Sequence, residues 1–140
     1  MKTRILTLLI SLAFLTSCSD NENDSLQREA LEVITGTWNL KNVNGGLQGI
    51  NINYTLREVK WVFNSENNTL QIENNIASTG PEDIYAGLDS GTYNYTIQQN
   101  TDTQTLLINA QVRGVIILSN GILKIDNGIA SDGFITEFKR

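Results

Sequence analysis

The stretch Ile34-Thr35-Gly36-Thr37-Trp38-Asn39-Leu40-Lys41 is where the chain changes period. Upstream of it, Leu26, Ala30, Val33 and Ile34 recur at helical spacing, with Arg28, Glu29 and Glu32 elsewhere on the wheel. Asp24 or Ser25 offers an N-cap, and Gln27 stands three residues after Asp24, as in a capping box. From Gly36 onward the apolar residues recur every second position: Trp38 and Leu40 alternate with Thr37, Asn39 and Lys41. A short helix therefore gives way to a strand with one buried face and one wet face.

The same alternation repeats down the chain. Ile50, Ile52 and Tyr54 alternate with Asn51 and Asn53. Val59, Trp61 and Phe63 alternate with Lys60, Val62 and Asn64. Leu70 and Ile72, then Tyr93, Tyr95 and Ile97, then Phe134, Thr136 and Phe138 follow the same rule. Thr105–Ile108, Val112–Leu118 and Ile122–Ile125 are aliphatic on both parities, as suits strands covered on both faces or strands on a hydrophobic surface. Turn residues separate the runs: Asn44-Gly45-Gly46, Asn67-Asn68, Asn120-Gly121, Asn127-Gly128 and Asp132-Gly133. Nine strands joined by short connections leave no room for the crossover helices of a parallel sheet. The reading is all-β: an antiparallel meander that closes as an up-and-down barrel of eight or nine strands or packs as a sandwich. One connection is long, Asn75 to Ser90. It reads as a packed loop held by Ile76, Ile84, Tyr85 and Leu88, or as a lid over a barrel mouth.

The start of the chain is a different kind of sequence. Lys2 and Arg4 precede an apolar run, Ile5 to Leu15, which is shorter than the ~20 residues a membrane span needs. A basic start, a short apolar run and small residues at its end describe a secretory signal peptide. Leu15-Thr16-Ser17-Cys18 resembles the lipobox of bacterial lipoproteins. That resemblance implies cleavage after residue 17, diacylglycerol on the Cys18 thiol and a further acyl chain, such as palmitate, on its amine. Two or more chains hold a protein at a membrane firmly without any span. Ser19-Asp20-Asn21-Glu22-Asn23-Asp24 follows as an acidic tether and is similar to the stretch after the lipidated Cys in surface-exported lipoproteins of Bacteroidota. The domain plan is thus residues 1–17 as signal peptide, 18–24 as lipidated Cys and tether, and 25–140 as the folded body. The expected address is the outer membrane of the cell envelope, on its periplasmic or its surface face.

Gly36-Thr37-Trp38, at the start of the first strand and just after a helix, resembles the Gly-x-Trp signature of lipocalins, and the stretch around it is closest to lipocalin-like domains of Bacteroidota lipoproteins. In organisation the resemblance covers residues 25–140. It implies a barrel whose narrow end is closed by Trp38, with a basic residue from the far end of the fold packed across it. Arg140 shares the parity of Phe134, Thr136 and Phe138 and is the candidate; Lys139 has the wrong parity.

Composition limits the chemistry. The chain has 140 residues, 10 Lys and Arg against 15 Asp and Glu, a formal charge of −5, no His and one Cys. That excludes a Ser-His-Asp triad, a histidine or thiolate metal site and an internal disulfide. An acidic chain without a basic patch argues against nucleic acid. Glu82-Asp83, or Asp126 with Asp132, has no spacing that singles it out for carboxylate catalysis, and no calcium loop or phosphate-cradling glycine motif is present. The reading is therefore not an enzyme and without cofactor. The aromatic residues expected to face inward, Trp38, Trp61, Phe63, Tyr93, Tyr95, Phe134 and Phe138, either fill the barrel or line a shallow pocket for a small apolar or amphipathic molecule, with Tyr93, Tyr95 and Tyr54 at its mouth. The alternative is a solid-core barrel acting as an interaction or structural module, with Val115-Ile116-Ile117-Leu118 as the surface that discriminates. Neither reading identifies a protein partner.

Overall fold

The computed structural model describes residues 34–140. The expected signal peptide, Cys18, tether and capped helix lie outside the described residues, save for Ile34 and Thr35 at the helix end. Nine strands follow in order: β1 (Gly36–Gly45), β2 (Ile50–Asn53), β3 (Val59–Asn64), β4 (Thr69–Asn74), β5 (Gly91–Gln99), β6 (Gln104–Ile108), β7 (Gln111–Ser119), β8 (Ile122–Asn127) and β9 (Phe134–Lys139). Helical elements are small: α1 (Pro81–Tyr85) within the long connection, and a 3-10 turn at Ile129–Ser131.

Every strand pairs antiparallel with its neighbour in sequence from β3 to β9, and β9 pairs back onto β1. The sheet closes into an eight-stranded barrel, so the barrel alternative of the sequence reading holds and the sandwich does not. β2 is the extra strand. The first half of β1 pairs with β3, from Gly36 opposite Phe63 to Asn39 opposite Lys60. Its second half pairs with β2 along the same edge, from Asn42 opposite Asn53 to Gly45 opposite Ile50. β2 therefore extends one end of the barrel.

The core is the barrel interior. Trp38, Leu40, Val59, Phe63, Leu70, Ile97, Leu106, Ile108, Leu123 and Phe138 are all buried there. A bulge at Lys41 inserts one residue into β1 opposite β9, between Leu40 and Asn42. The insertion flips the parity, so Val43 faces inward after Leu40. At one end the aromatic side chains pack against one another. The Trp61 ring lies 4.7 Å from Phe138 and 6.0 Å from Phe63, and Phe63 meets Tyr95 edge-on at 5.0 Å. Tilted and edge-to-face pairs of this kind add about 0.5–1.5 kcal/mol each beyond the area they bury.

The strands that read as aliphatic on both parities have an explanation on the outer wall. Leu106, Ile108, Ile116, Leu123 and Ile125 face inward, while Val115 is half-buried and Val112 and Ile117 are exposed on the opposite face of β7. Val115-Ile116-Ile117-Leu118 is thus split between core and surface. Ile117 stands opposite Lys124 and Val115 opposite Asp126, so the outer apolar stripe has charged neighbours.

Candidate functional site

The two ends of the barrel differ. At the end where β1 begins, the Trp38 indole is buried and donates its Nε1–H to the Ile34 carbonyl at 2.7 Å. The Arg140 guanidinium carbon lies 4.6 Å from the Trp38 ring centroid, and its Nη2 donates to the Thr35 carbonyl at 3.0 Å. The stretch that opens the first strand and the last residue of the chain therefore meet across one aromatic ring. Gly36 sits between them at φ +112°, a backbone conformation that side chains rarely adopt, and this turns the chain from Ile34 into the strand.

The opposite end is roofed by the connection from residue 75 to residue 90. Ser90 ties its two feet together: the hydroxyl accepts from the Asn74 N–H at 2.8 Å and donates to the Asn74 carbonyl at 3.1 Å. Pro81 starts α1, with Glu82 and Asp83 in its first turn. Two phenols expected to line a pocket instead hold this roof. The Tyr54 hydroxyl donates to the Glu82 carbonyl at 3.0 Å, and the Tyr93 hydroxyl to the Asp89 carbonyl at 2.9 Å. Burial, with the nearby Glu82, Glu58 and Asp83 carboxylates adding to it, pushes the Tyr54 phenol up to about 12. The connection is both things the sequence allowed, a loop packed by its own side chains and a cover on the barrel.

Beneath this roof is a cavity of about 190 Å³. Tyr85 and Leu88 come down from the connection, with Ile84 at its edge. Val43, Ile125 and Phe134 form the walls, and the Phe134 ring lies 5.3 Å from Tyr85. Trp61 reaches the cavity from the aromatic cluster below. The polar side chains are Asn127, Thr136 and Arg113, with the Tyr85 and Trp61 rings bringing a phenol and an indole N–H, and no carboxylate lines the space.

Of the aromatic residues singled out from the sequence, Trp61 and Phe134 reach the cavity, Tyr54 and Tyr93 hold its roof, and Phe63, Tyr95 and Phe138 fill the core below. Burial raises the Tyr95 phenol, against the opposing pull of the Thr35 hydroxyl. The packed interior and the pocket are thus not alternatives here; they occupy different levels of one barrel. Arg113, Asn127 and Thr136 were not read as site residues. Their alternation marks them as strand residues and nothing more. The one local signal for Arg113 was Gly114, an isolated glycine inside a strand pattern, which indicates a bulge.

Among the described residues no group of three or more acidic or thiol side chains is placed to hold a metal, and no helix is long and apolar enough to cross a membrane. No family model, curated protein or solved structure matches this chain.

Proposed function

We propose that this chain is a lipid-anchored, lipocalin-like protein of the bacterial cell envelope that binds a small apolar or amphipathic molecule under the roof of its barrel, and that it is not an enzyme. The observation that carries the reading is the roofed cavity at one end of the barrel; the end where Arg140 covers Trp38 carries only a shallower surface hollow, of about 320 Å³. A concave site with mostly apolar walls and a few polar groups is what small-molecule recognition requires. The pairing of a Gly-x-Trp strand with a basic residue from the far end of the fold supports the lipocalin-like assignment. The volume lies below the roughly 300–1,000 Å³ of sites for drug-sized ligands, so the ligand is small. The anchor is Cys18, acylated after removal of residues 1–17, and places the barrel at the outer membrane, on its periplasmic or outer face.

Native mass spectrometry of protein purified gently from its own host tests the binding reading. A retained small molecule, released when the barrel is unfolded, is the expected result. A bare polypeptide mass that takes up nothing from a metabolite or lipid extract would remove the pocket from the account. The outer stripe of β7, with Val112 and Ile117 exposed, would then become the functional surface and the protein an interaction module.

A further inference from the structure

We infer that the ligand of the roofed cavity is a small monoanion, a carboxylate with a compact apolar body, held by Arg113 and Trp61. The inference rests on the binding reading above and adds the charge and size of what is bound.

The decisive feature is a pair of buried donors. The Arg113 Nε and the Trp61 Nε1 are both shielded from solvent, neither has a hydrogen-bond partner among the described residues, and both side chains line the same cavity. A buried donor left without an acceptor costs about 1–3 kcal/mol, and more when it is charged. Both donors belong to side chains that line one small space, so a ligand that brings an acceptor and draws these side chains toward it supplies what the chain itself does not. The second indole of the protein makes the contrast, because the Trp38 N–H is spent on the Ile34 carbonyl.

The fold takes a specific step to put Arg113 there. Leu106 pairs with Gly114 and Leu107 with Val112, so Arg113 is the extra residue of a bulge in β7. A bulge re-aims the side chain it carries. Gly114 is buried at φ +147°, and a Cβ at that position would collide with the Asp126 carbonyl on β8. The bulge thus depends on a glycine, and its product is an arginine side chain in the wall of the roofed cavity.

The electrostatics select the ligand. Arginine keeps its charge at any pH the protein meets. Among the described residues it has no ion pair, and the cavity lining contains no Asp or Glu. A single cation in a space of this kind balances a single negative charge; a dianion would bring an unpaired one. A planar carboxylate matches the guanidinium fork, and its second oxygen is free to accept from an N–H of different origin. Thr136 adds a hydroxyl and Asn127 an amide at the rim. At about 190 Å³, the cavity takes an aromatic or short branched body and not a long acyl chain.

The test uses the full chain with sodium benzoate and 3-methylbutanoate, each against its neutral primary amide. Affinity is read by calorimetry and position by the two indole N–H signals in a proton–nitrogen correlation spectrum. An acid should shift the Trp61 signal and leave that of Trp38, and should bind at least tenfold more tightly than its amide. Arg113→Gln should weaken the acid at least tenfold while changing the amide by less than twofold. Trp61→Phe, which keeps a ring and removes the N–H, should weaken the acid several-fold. Amides binding at Trp61 as tightly as the acids, or acids indifferent to Arg113→Gln, would overturn the anion inference and leave the pocket standing. Neither acid nor amide moving the Trp61 signal at millimolar concentration would overturn both. The contrast between acid and amide is made on the unaltered chain, so it does not depend on the variants folding.

Discussion

Arg140 and Tyr54 each join distant parts of the chain through one side chain, and both contacts can be weighed. Arg140 covers Trp38 and donates to the Thr35 carbonyl, joining the last residue of the chain to the start of the first strand. A cation over an aromatic face is worth about 0.5–1 kcal/mol at an exposed site, and the hydrogen bond adds a similar amount. Arg140→Ala should therefore lower stability by about 1–2 kcal/mol, read as a reduced urea midpoint at unchanged slope. Arg140→Lys keeps the charge but not the planar fork, and should recover less than half of the loss. Tyr54 gives a prediction with a pH dependence. Its phenol is pushed up to about 12 in the folded chain, chiefly by burial, against an ordinary value of 10. The folded state then holds the proton more tightly than the unfolded one between those values. The stability linked to Tyr54 is fully present below pH 10 and is lost as pH rises toward 12, by something of the order of 2 kcal/mol. Tyr54→Phe should cost about 1 kcal/mol at neutral pH through the lost bond to Glu82, and should flatten that alkaline fall. Urea titrations at pH 9 and pH 11.5 compare the two; equal alkaline losses would dissociate Tyr54 from the effect.

Strands were the most legible elements, because a half-buried strand writes its wet and dry faces into alternate residues. All nine alternating or aliphatic runs correspond to strands. The bulges were not legible. Each adds one residue to a run whose composition stays the same, and only the register against a distant strand reveals it. At Lys41 the parity slips, so Leu40 and Val43 both point inward. At Arg113 the slip puts an arginine side chain in the cavity wall. Helix α1 was also missed: five residues opened by Pro81 give too little periodicity to separate from a loop. The β7 bulge carries its own prediction. Gly114→Ala places a methyl against the Asp126 carbonyl at a φ that alanine rarely adopts. The strain is about 1–3 kcal/mol, with steric overlap in addition. The variant should melt at a lower temperature, and hydrogen exchange should rise first in β7 and β8. A loss spread evenly over the barrel would show that the bulge is not a local device.

At the scale of the whole molecule, the fact that decides the architecture is the pairing of β1 with β9, which joins Asn39 to Lys139 and Gly45 to Phe134. Periodicity alone left barrel and sandwich open, since both bury alternate residues; closure is a property of two strands nearly a hundred residues apart. The same long-range closure builds the site, because the cavity draws on β1, β3, β7, β8, β9 and the roof together. No local motif could have announced it. The proposed anchor is, by contrast, entirely local. It rests on Leu15-Thr16-Ser17-Cys18 and acts at a residue before the barrel begins. Anchor and barrel should then be separable. Cys18→Ser, expressed in the native host, should shift the protein from the membrane pellet to the soluble fraction and abolish incorporation of labelled palmitate. Two or more acyl chains account for such a shift, at ~0.8 kcal/mol per buried methylene, whereas nothing in an acidic chain attracts it to an anionic surface. The thermal transition of the barrel should stay where it was, since Cys18 lies well ahead of the first strand and the described core runs from Ile34 to Phe138. A Cys18→Ser protein that still pelleted with membranes after a salt wash would transfer the membrane contact to the barrel itself, with the exposed Leu47, Ile84 and Val112 as the first residues to replace.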